Sequence, residues 1–131
     1  MAEHPNVALV KKWYEAFLSG DYPPTIRELL AEDAVWHLPG THPLSGEHRG
    51  REDILAAFRR FEELSRGTIQ IELHDALAND EHAVALLRAT GTREGRQYAS
   101  LEIDVFHIRD GKVTECWSLS QDQRITDEFW S

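Results

Sequence analysis

At 131 residues, with 41% apolar and 28% charged side chains, the chain has the length and composition of one globular domain rather than of a disordered segment. Its formal net charge of −9, with no basic run longer than two arginines, argues against nucleic acid as a partner. Its apolar runs are short and its first residues do not resemble a signal peptide, so we expect a cytoplasmic protein without a membrane partner.

The first third of the chain has the periodicity of two helices. Apolar side chains recur every three to four residues after Pro5, which predicts a helix capped by Asn6 and ended by Gly20. The prolines at 23–24 can open a shorter second helix, whose end we expect at 32–33.

A strand, a loop and a third helix follow. The apolar segment 34–38 predicts a short strand, and the segment 41–50, which contains Pro, Gly and His, predicts an irregular loop. Between Arg51 and Leu64 the apolar residues return to a helical period, and the acidic residues of the first turn suit the positive end of the helix dipole.

The remaining chain has the two-residue period of strands. Alternation predicts a strand over 68–74, and further strands are predicted over 82–93, 96–109 and 112–121. Helices followed by consecutive antiparallel strands predict an α+β fold, in which three helices pack on a curved, mainly antiparallel sheet. We expect one domain over residues 1–131.

A family resemblance rests on four stretches of the sequence: Trp36–Gly40, Gly46–Glu52, Val105–Val113 and Asp127–Trp130. Together they resemble SnoaL-like proteins, in the superfamily of nuclear transport factor 2, ketosteroid isomerase, limonene epoxide hydrolase and scytalone dehydratase. The resemblance covers nearly the whole chain. It implies a cone-shaped α+β barrel around a deep pocket for a small hydrophobic molecule, a homodimer, and chemistry without a cofactor.

The residues that such enzymes use are only partly present in this sequence. Asp104 matches the acid that ketosteroid isomerases place in an oxyanion hole, but their base position falls at about Leu38 and their tyrosine position lies one residue before Tyr14. Arg88 matches the arginine of limonene epoxide hydrolases, whose two aspartates have no counterpart here. Asp122 lies near the carboxylate that SnoaL-like polyketide cyclases use as acid and base.

Three residues are candidates for catalysis. His37 is of the residue type most used as an acid or base in enzymes, and it could point into the pocket mouth, or it could only form hydrogen bonds at the rim. Asp104 shares its strand parity with apolar residues, which would raise its pKa unless a cation pairs with it. Arg88 on the preceding strand is the expected partner, and the alternative is a buried ion pair that only fixes strand register.

Other residues are candidates for ligand binding. They are Trp36, His42, Tyr14, Tyr98, Trp117 and Asp122. Each aromatic residue could equally be ordinary core. His37, His42 and His48 lie close in sequence, but their spacing is not that of a zinc motif, so we predict no metal site.

Two further features concern single residues and the chain end. We expect Cys116 to be a small buried hydrophobic residue, because no cationic neighbour would activate its thiol. We expect Phe129 and Trp130 to anchor the C-terminal segment to the domain.

Three functions remain open from the sequence. The leading hypothesis is an isomerase, cyclase or dehydratase that acts on a polyketide-, steroid- or terpenoid-like metabolite by acid–base chemistry. The second is a ligand-binding module without turnover, and the third is a domain whose sheet serves to dimerise or to hold another protein. A roomy cavity with convergent polar groups would count against the third.

Overall fold

The computed structural model describes residues 3–131, in which there are four helices and six strands. The helices are α1 (Pro5–Ser19), α2 (Pro23–Leu29), α3 (Arg51–Ser65) and α4 (Gln123–Trp130). The strands are β1 (Leu30–Leu38), β2 (Gly46–Arg49), β3 (Gln70–Ala78), β4 (His82–Arg93), β5 (Arg96–Arg109) and β6 (Lys112–Ser120). No helix within these residues has the length and apolar character needed to cross a membrane.

All six strands belong to one sheet, in the order β2-β1-β6-β5-β4-β3. The β1–β6 pair is parallel and the other pairs are antiparallel. The predicted α+β class, with helices on a curved and mainly antiparallel sheet, is confirmed. The sheet is not closed, since β2 and β3 form its two edges, so the cone is an open one rather than a complete barrel.

Several predicted boundaries are confirmed. The third helix begins at Arg51, and the strands predicted over 82–93 and 96–109 have those bounds. Gly20 adopts a left-handed conformation with φ of 84° and ends α1. These elements carry strong local signals, because their periodicity is regular and glycine-containing turns separate the long strands.

Other boundaries were predicted wrongly. The side chain that caps α1 is His4, whose Nδ1 accepts the backbone N–H of Asn6 at 3.0 Å. The second helix ends at Leu29, and β1 begins at Leu30 because this segment already pairs with β6. The predicted loop contains β2, and the C-terminal segment forms α4.

The sheet has two unlike faces. The inner face is the one covered by helices and carries the fully buried Phe106 of β5 and Val113 of β6, which share a core with Val10 of α1 and Ile54 of α3. The outer face has no helix over it among the described residues. It carries the exposed apolar side chains Leu77, Leu101, Ile103 and Leu119.

Candidate functional site

A cavity of about 1100 Å³ lies between the inner face of the sheet and the helices. Its walls are mainly apolar and include the aromatic residues Trp13, Tyr14, Trp36, Phe58, Phe61 and Trp130. Exposed residues of α1, such as Lys11 and Leu18, also border it, so it opens to solvent beside this helix. A concave, apolar cavity with few polar groups is the usual form of a small-molecule site.

The first polar centre in the cavity is Asp104, which faces inward because its strand register aligns it with Ala85 of β4 and Ser118 of β6. The Tyr14 hydroxyl of α1 donates a hydrogen bond to Asp104 Oδ2. Burial raises the pKa of the Asp104 carboxyl, whereas the Tyr14 hydroxyl and the nearby Ser118 hydroxyl oppose the rise by favouring the carboxylate. Asp104 is therefore a desolvated carboxyl with Tyr14 as its hydrogen-bond donor and Ser118 beside it on β6.

The neighbours of this centre stay uncharged. Burial, followed by the charge of Asp104, raises the pKa of the Tyr14 phenol well above its ordinary value, which keeps this hydroxyl protonated. Burial likewise raises the pKa of the Cys116 thiol. Cys116 is buried and unpaired as expected, and it borders the cavity.

The second polar centre is Glu102, which the sequence analysis missed. It lies two residues before Asp104 on β5 and so faces the same cavity. The Tyr98 hydroxyl donates to Glu102 Oε1 at 2.6 Å and also lies 2.8 Å from Thr126 Oγ1 of α4. Its parity with Asp104 was the signal that could have identified it.

Burial raises the pKa of Glu102 to about 7. The hydrogen bond from Tyr98 opposes this rise, and the charge of Asp104 adds to it. Burial also raises the pKa of Tyr98 to about 12, so its phenol is a donor at neutral pH. The cavity thus holds two carboxyls, each hydrogen-bonded to a tyrosine.

No Lys or Arg side chain within residues 3–131 forms an ion pair with either carboxyl. His42 is buried and borders the cavity, and its Nδ1 accepts the Leu44 N–H at 3.2 Å. Burial lowers the pKa of His42, which favours the neutral ring with its proton on Nε2. The interior of the site is therefore an apolar cavity with two desolvated carboxyls and a neutral imidazole, whereas the other charged residues that border it are exposed.

The structure places His37 away from this site. Trp36 faces the cavity and donates from Nε1 to Ser118 Oγ at 2.9 Å, so the next residue along β1 faces outward. His37 stacks on Trp117 with ring centroids 4.8 Å apart, and its Nε2 lies 2.5 Å from Glu115 Oε2. His37 and Trp117 therefore belong to the outer face.

A bulge in β6 reverses the side-chain alternation between Val113 and Glu115. Ile108 aligns with Val113, but His107 aligns with Glu115, so Thr114 is an extra residue. Val113 is consequently buried on the inner face, whereas Glu115 faces outward and lies 3.4 Å from His107 Nδ1.

The expected pairing of Arg88 with Asp104 is wrong. Asp104 is aligned with Ala85, and Arg88 lies three residues further along β4, opposite the outward Leu101. An odd number of residues separates opposite faces of a strand, so the exposed Arg88 side chain extends from the outer face, although the residue borders the cavity. Asp122, by contrast, lies outside the cavity lining. It caps α4, because its Oδ1 accepts the Arg124 N–H at 3.0 Å.

The remaining histidine of the predicted loop is also held by backbone atoms. His48 Nε2 lies 2.8 Å from the Leu44 carbonyl oxygen, and its ring contacts Trp36. Within residues 3–131 no three His, Cys, Asp or Glu side chains form a group that could hold a metal ion. Phe129 stacks on Tyr98, and Trp130 packs against Phe61 and borders the cavity, so the C-terminal anchor is also part of the cavity wall.

Comparisons with known proteins give a consistent picture. A family model described as a SnoaL-like domain matches residues 10–116. The uncharacterized protein Rv0034 of Mycobacterium tuberculosis is 26% identical over the full length of both chains. The structure of Bal32a, from a soil-derived mobile gene cassette, is 34% identical over 97% of each chain with a TM-score of 0.92. IdmH, a proposed polyketide cyclase from Streptomyces antibioticus, is 26% identical over 95% of this chain and 96% of its own, with a TM-score of 0.75.

Proposed function

We propose that this chain, which belongs to the SnoaL-like domain family, is a cofactor-free acid–base enzyme for a small hydrophobic metabolite that carries a ring carbonyl. The reaction class is that of an isomerase, cyclase or dehydratase, and the substrate class is polyketide-, steroid- or terpenoid-like. The observation that carries the proposal is the hydrogen-bonded pair of Asp104 and Tyr14 inside an aromatic cavity. The likeness to IdmH supports a cyclase-type reaction.

In this proposal Asp104 is the base. The resemblance to ketosteroid isomerases implies an oxyanion-hole acid at this position, but the hydroxyls of Tyr14 and Ser118 both favour the carboxylate. Desolvation makes that carboxylate more basic than one in water, which suits it for removing a proton from carbon near neutral pH. Tyr14 holds the carboxylate in place from α1.

Exchange of carbon-bound protons tests this function directly. The probe is β-tetralone, a fused-ring ketone, in deuterated water, and proton NMR follows the loss of the signals next to the carbonyl. We expect the protein to accelerate this loss and Asp104→Asn to slow it by about 100-fold or more, the usual contribution of a general base. The matched control is Asp122→Asn, because Asn also caps helices and this residue lies outside the cavity lining. Equal rates for the protein and Asp104→Asn would refute the assignment.

A ligand-binding module is the second candidate function. One observation favours it: both cavity carboxyls already have tyrosine donors, an arrangement that can recognise a ring hydroxyl without turnover. Titration with β-naphthol, followed by its fluorescence, measures such binding. Saturable binding without Asp104-dependent exchange would select this function over catalysis.

The family resemblance also implies a homodimer. We propose that the outer face is its interface, because this face exposes apolar side chains that no described helix covers. The cavity lies on the opposite side of the sheet and would remain open in such a dimer.

A further inference from the structure

We propose that Glu102 is a second catalytic residue, which donates a proton to the ligand oxygen while Asp104 accepts a proton from the neighbouring carbon. This inference rests on the proposed function and adds the acid that completes it. It assigns the two carboxyls of β5 opposite roles in one reaction.

The first support is position. Glu102 and Asp104 alternate inward on one regular strand, so their Cα atoms lie about 6.6 Å apart. A carbonyl oxygen and the adjacent carbon can fit between the two carboxyls, with an O–H···O contact of about 2.7 Å at the oxygen and a C–H···O contact of about 3.3 Å at the carbon. Trp36, Phe61 and Trp130 supply the apolar walls for the rest of the ring system.

The second support is an unused oxygen. Tyr98 occupies Oε1 of Glu102, and within residues 3–131 no hydrogen-bond partner is present for Oε2. Glu102 borders the cavity, and Oε2 is not among the fully inaccessible atoms that lack a partner. This oxygen is therefore accessible to a ligand.

The third support is the distribution of charge around the pair. Glu102 is aligned with Leu87 on β4 and Ser120 on β6, and Thr126 of α4 bonds to its partner Tyr98; none of these residues is charged. The titratable groups that face Glu102 are Tyr98 and Asp104, both on its own strand.

Two carboxyls without a cation share a site most favourably with one charge between them. Tyr14 donates to Asp104 and the Ser118 hydroxyl lies beside it, and both favour its ionised form, whereas only the hydroxyl of Tyr98 favours that of Glu102. The charge therefore resides on Asp104 and the proton on Glu102. The pKa of about 7 for Glu102 agrees with this division.

The proton transfer balances without any other reactant. Asp104 takes the proton from the carbon beside the carbonyl, and the C–H electron pair becomes a new C=C bond. The carbonyl π electrons take up the proton of Glu102, which gives a neutral enol. Glu102 is then the carboxylate and Asp104 the acid, and return of a proton to carbon with loss of the enol proton restores both groups.

Tyr98 and Thr126 are positioning residues for this acid. Tyr98 Oη joins Glu102 to Thr126, and its ring stacks on Phe129 with centroids 4.8 Å apart. Thr126 and Phe129 both belong to α4. This helix therefore holds the Tyr98 side chain, and through it the carboxyl of Glu102, in place.

The exchange of β-tetralone protons also tests the acid. Glu102→Gln can still donate an N–H hydrogen bond but not a proton, so we expect a loss of about 30-fold or more. Glu128→Gln, the same change at an exposed position of α4, is expected to exchange like the unmodified protein. The unmodified protein should lose activity as the pH rises through about 7, and Glu102→Gln should lack this decline. A Glu102→Gln rate equal to that of the protein, or the same decline in both, would overturn the proposal.

Two patterns separate this proposal from the function on which it rests. If proton exchange requires Asp104 but not Glu102, only the assignment of Glu102 as the acid is wrong. If no exchange depends on Asp104, the assignment of Glu102 and the proposed enzymatic function are both wrong. Tyr98→Phe gives a second measurement, because it keeps the ring stack and removes a bond that favours the carboxylate. We expect it to move the decline to higher pH, and an unmoved decline would contradict the positioning role.

Discussion

Glu102 makes the stability of the fold depend on pH. Its pKa rises from 4.5 to about 7, because burial penalises the carboxylate in the folded state. The folded protein therefore binds the proton more tightly than the unfolded chain. This contribution to stability is complete below the unfolded pKa and is lost as the pH rises through about 7.

The comparison of the protein with Glu102→Gln isolates this contribution. Gln does not titrate, so we expect the free energy of unfolding of the protein to fall relative to that of the variant, by up to about 3 kcal/mol between about pH 4 and pH 8. Urea denaturation of both proteins across this range measures it. A difference that stays constant with pH would show that Glu102 is not desolvated in the folded state.

Tyr14 sets how readily Asp104 ionises. Tyr14→Phe removes a donor that favours the carboxylate, so the pKa of Asp104 should rise further. If Asp104 is the base, the acidic limb of the proton-exchange profile moves to higher pH in this variant. Tyr22→Phe is the control, since Tyr22 is also buried but forms no hydrogen bond with Asp104. An acidic limb that stays in place would exclude Asp104 as the group that controls it.

At the scale of single residues, the sequence predicted only some of the site residues, because alternation along a strand does not identify the face that contains the cavity. Alternation along a strand shows that Trp36 and His37 face opposite sides, but it does not show which side contains the cavity. Apolar neighbours of the same parity indicate that Asp104 belongs to the site, and the same parity applies to Glu102, which the prediction did not include. The bulge at Thr114 has no clear local signal, so the faces of β6 could not be assigned from parity.

At the scale of elements, α4 closes one end of the cavity and is held by its neighbours more than by its own sequence. Arg93 and Arg96 donate to backbone oxygens at its C-terminal end, including that of Phe129. Thr41 donates to Asp127 at 3.1 Å and Gln123 donates to the Pro39 carbonyl at 3.2 Å. A helix of eight residues with few apolar positions is not stable without tertiary contacts. The local sequence therefore did not predict α4.

Gly40 allows the loop after β1 to approach α4 closely. A Cβ at this position would overlap Asp127 Oδ1 and Gln123 Nε2, which can move away only by breaking their hydrogen bonds. Gly46 has a similar backbone, with φ of 120° against 106°, but has open space around it. Gly46→Ala therefore measures the backbone strain alone, about 1 to 2 kcal/mol.

We expect Gly40→Ala to lower the free energy of unfolding by about 1 kcal/mol more than Gly46→Ala, the usual value of a hydrogen bond. Faster amide hydrogen exchange in α4 should accompany this loss. Thermal or urea denaturation of both variants measures the difference. Equal costs for the two substitutions would mean that the contact with α4 contributes nothing.

At the scale of the whole molecule, the two faces of the sheet carry different sets of polar residues. The inner face holds two carboxyls in a cavity, and the outer face holds the stacked pair of His37 and Trp117 beside exposed aliphatic residues. The fold class could be predicted because it follows from element order and periodicity. The division of polar residues between the two faces depends on register and on the bulge in β6, which only the assembled sheet reveals.

The outer face should therefore control assembly and leave catalysis largely intact. Ile103 and Leu119 are aligned neighbours on β5 and β6, with 41% and 43% of their surface exposed. If a second copy covers them, Ile103→Lys places a charge in the interface and should shift the mass in sedimentation equilibrium from dimer to monomer. Ile125→Lys is the matched control, because Ile125 is 42% exposed but lies on α4. A protein that is monomeric at tens of micromolar, or a dimer unaffected by Ile103→Lys, would show that this face is not the interface.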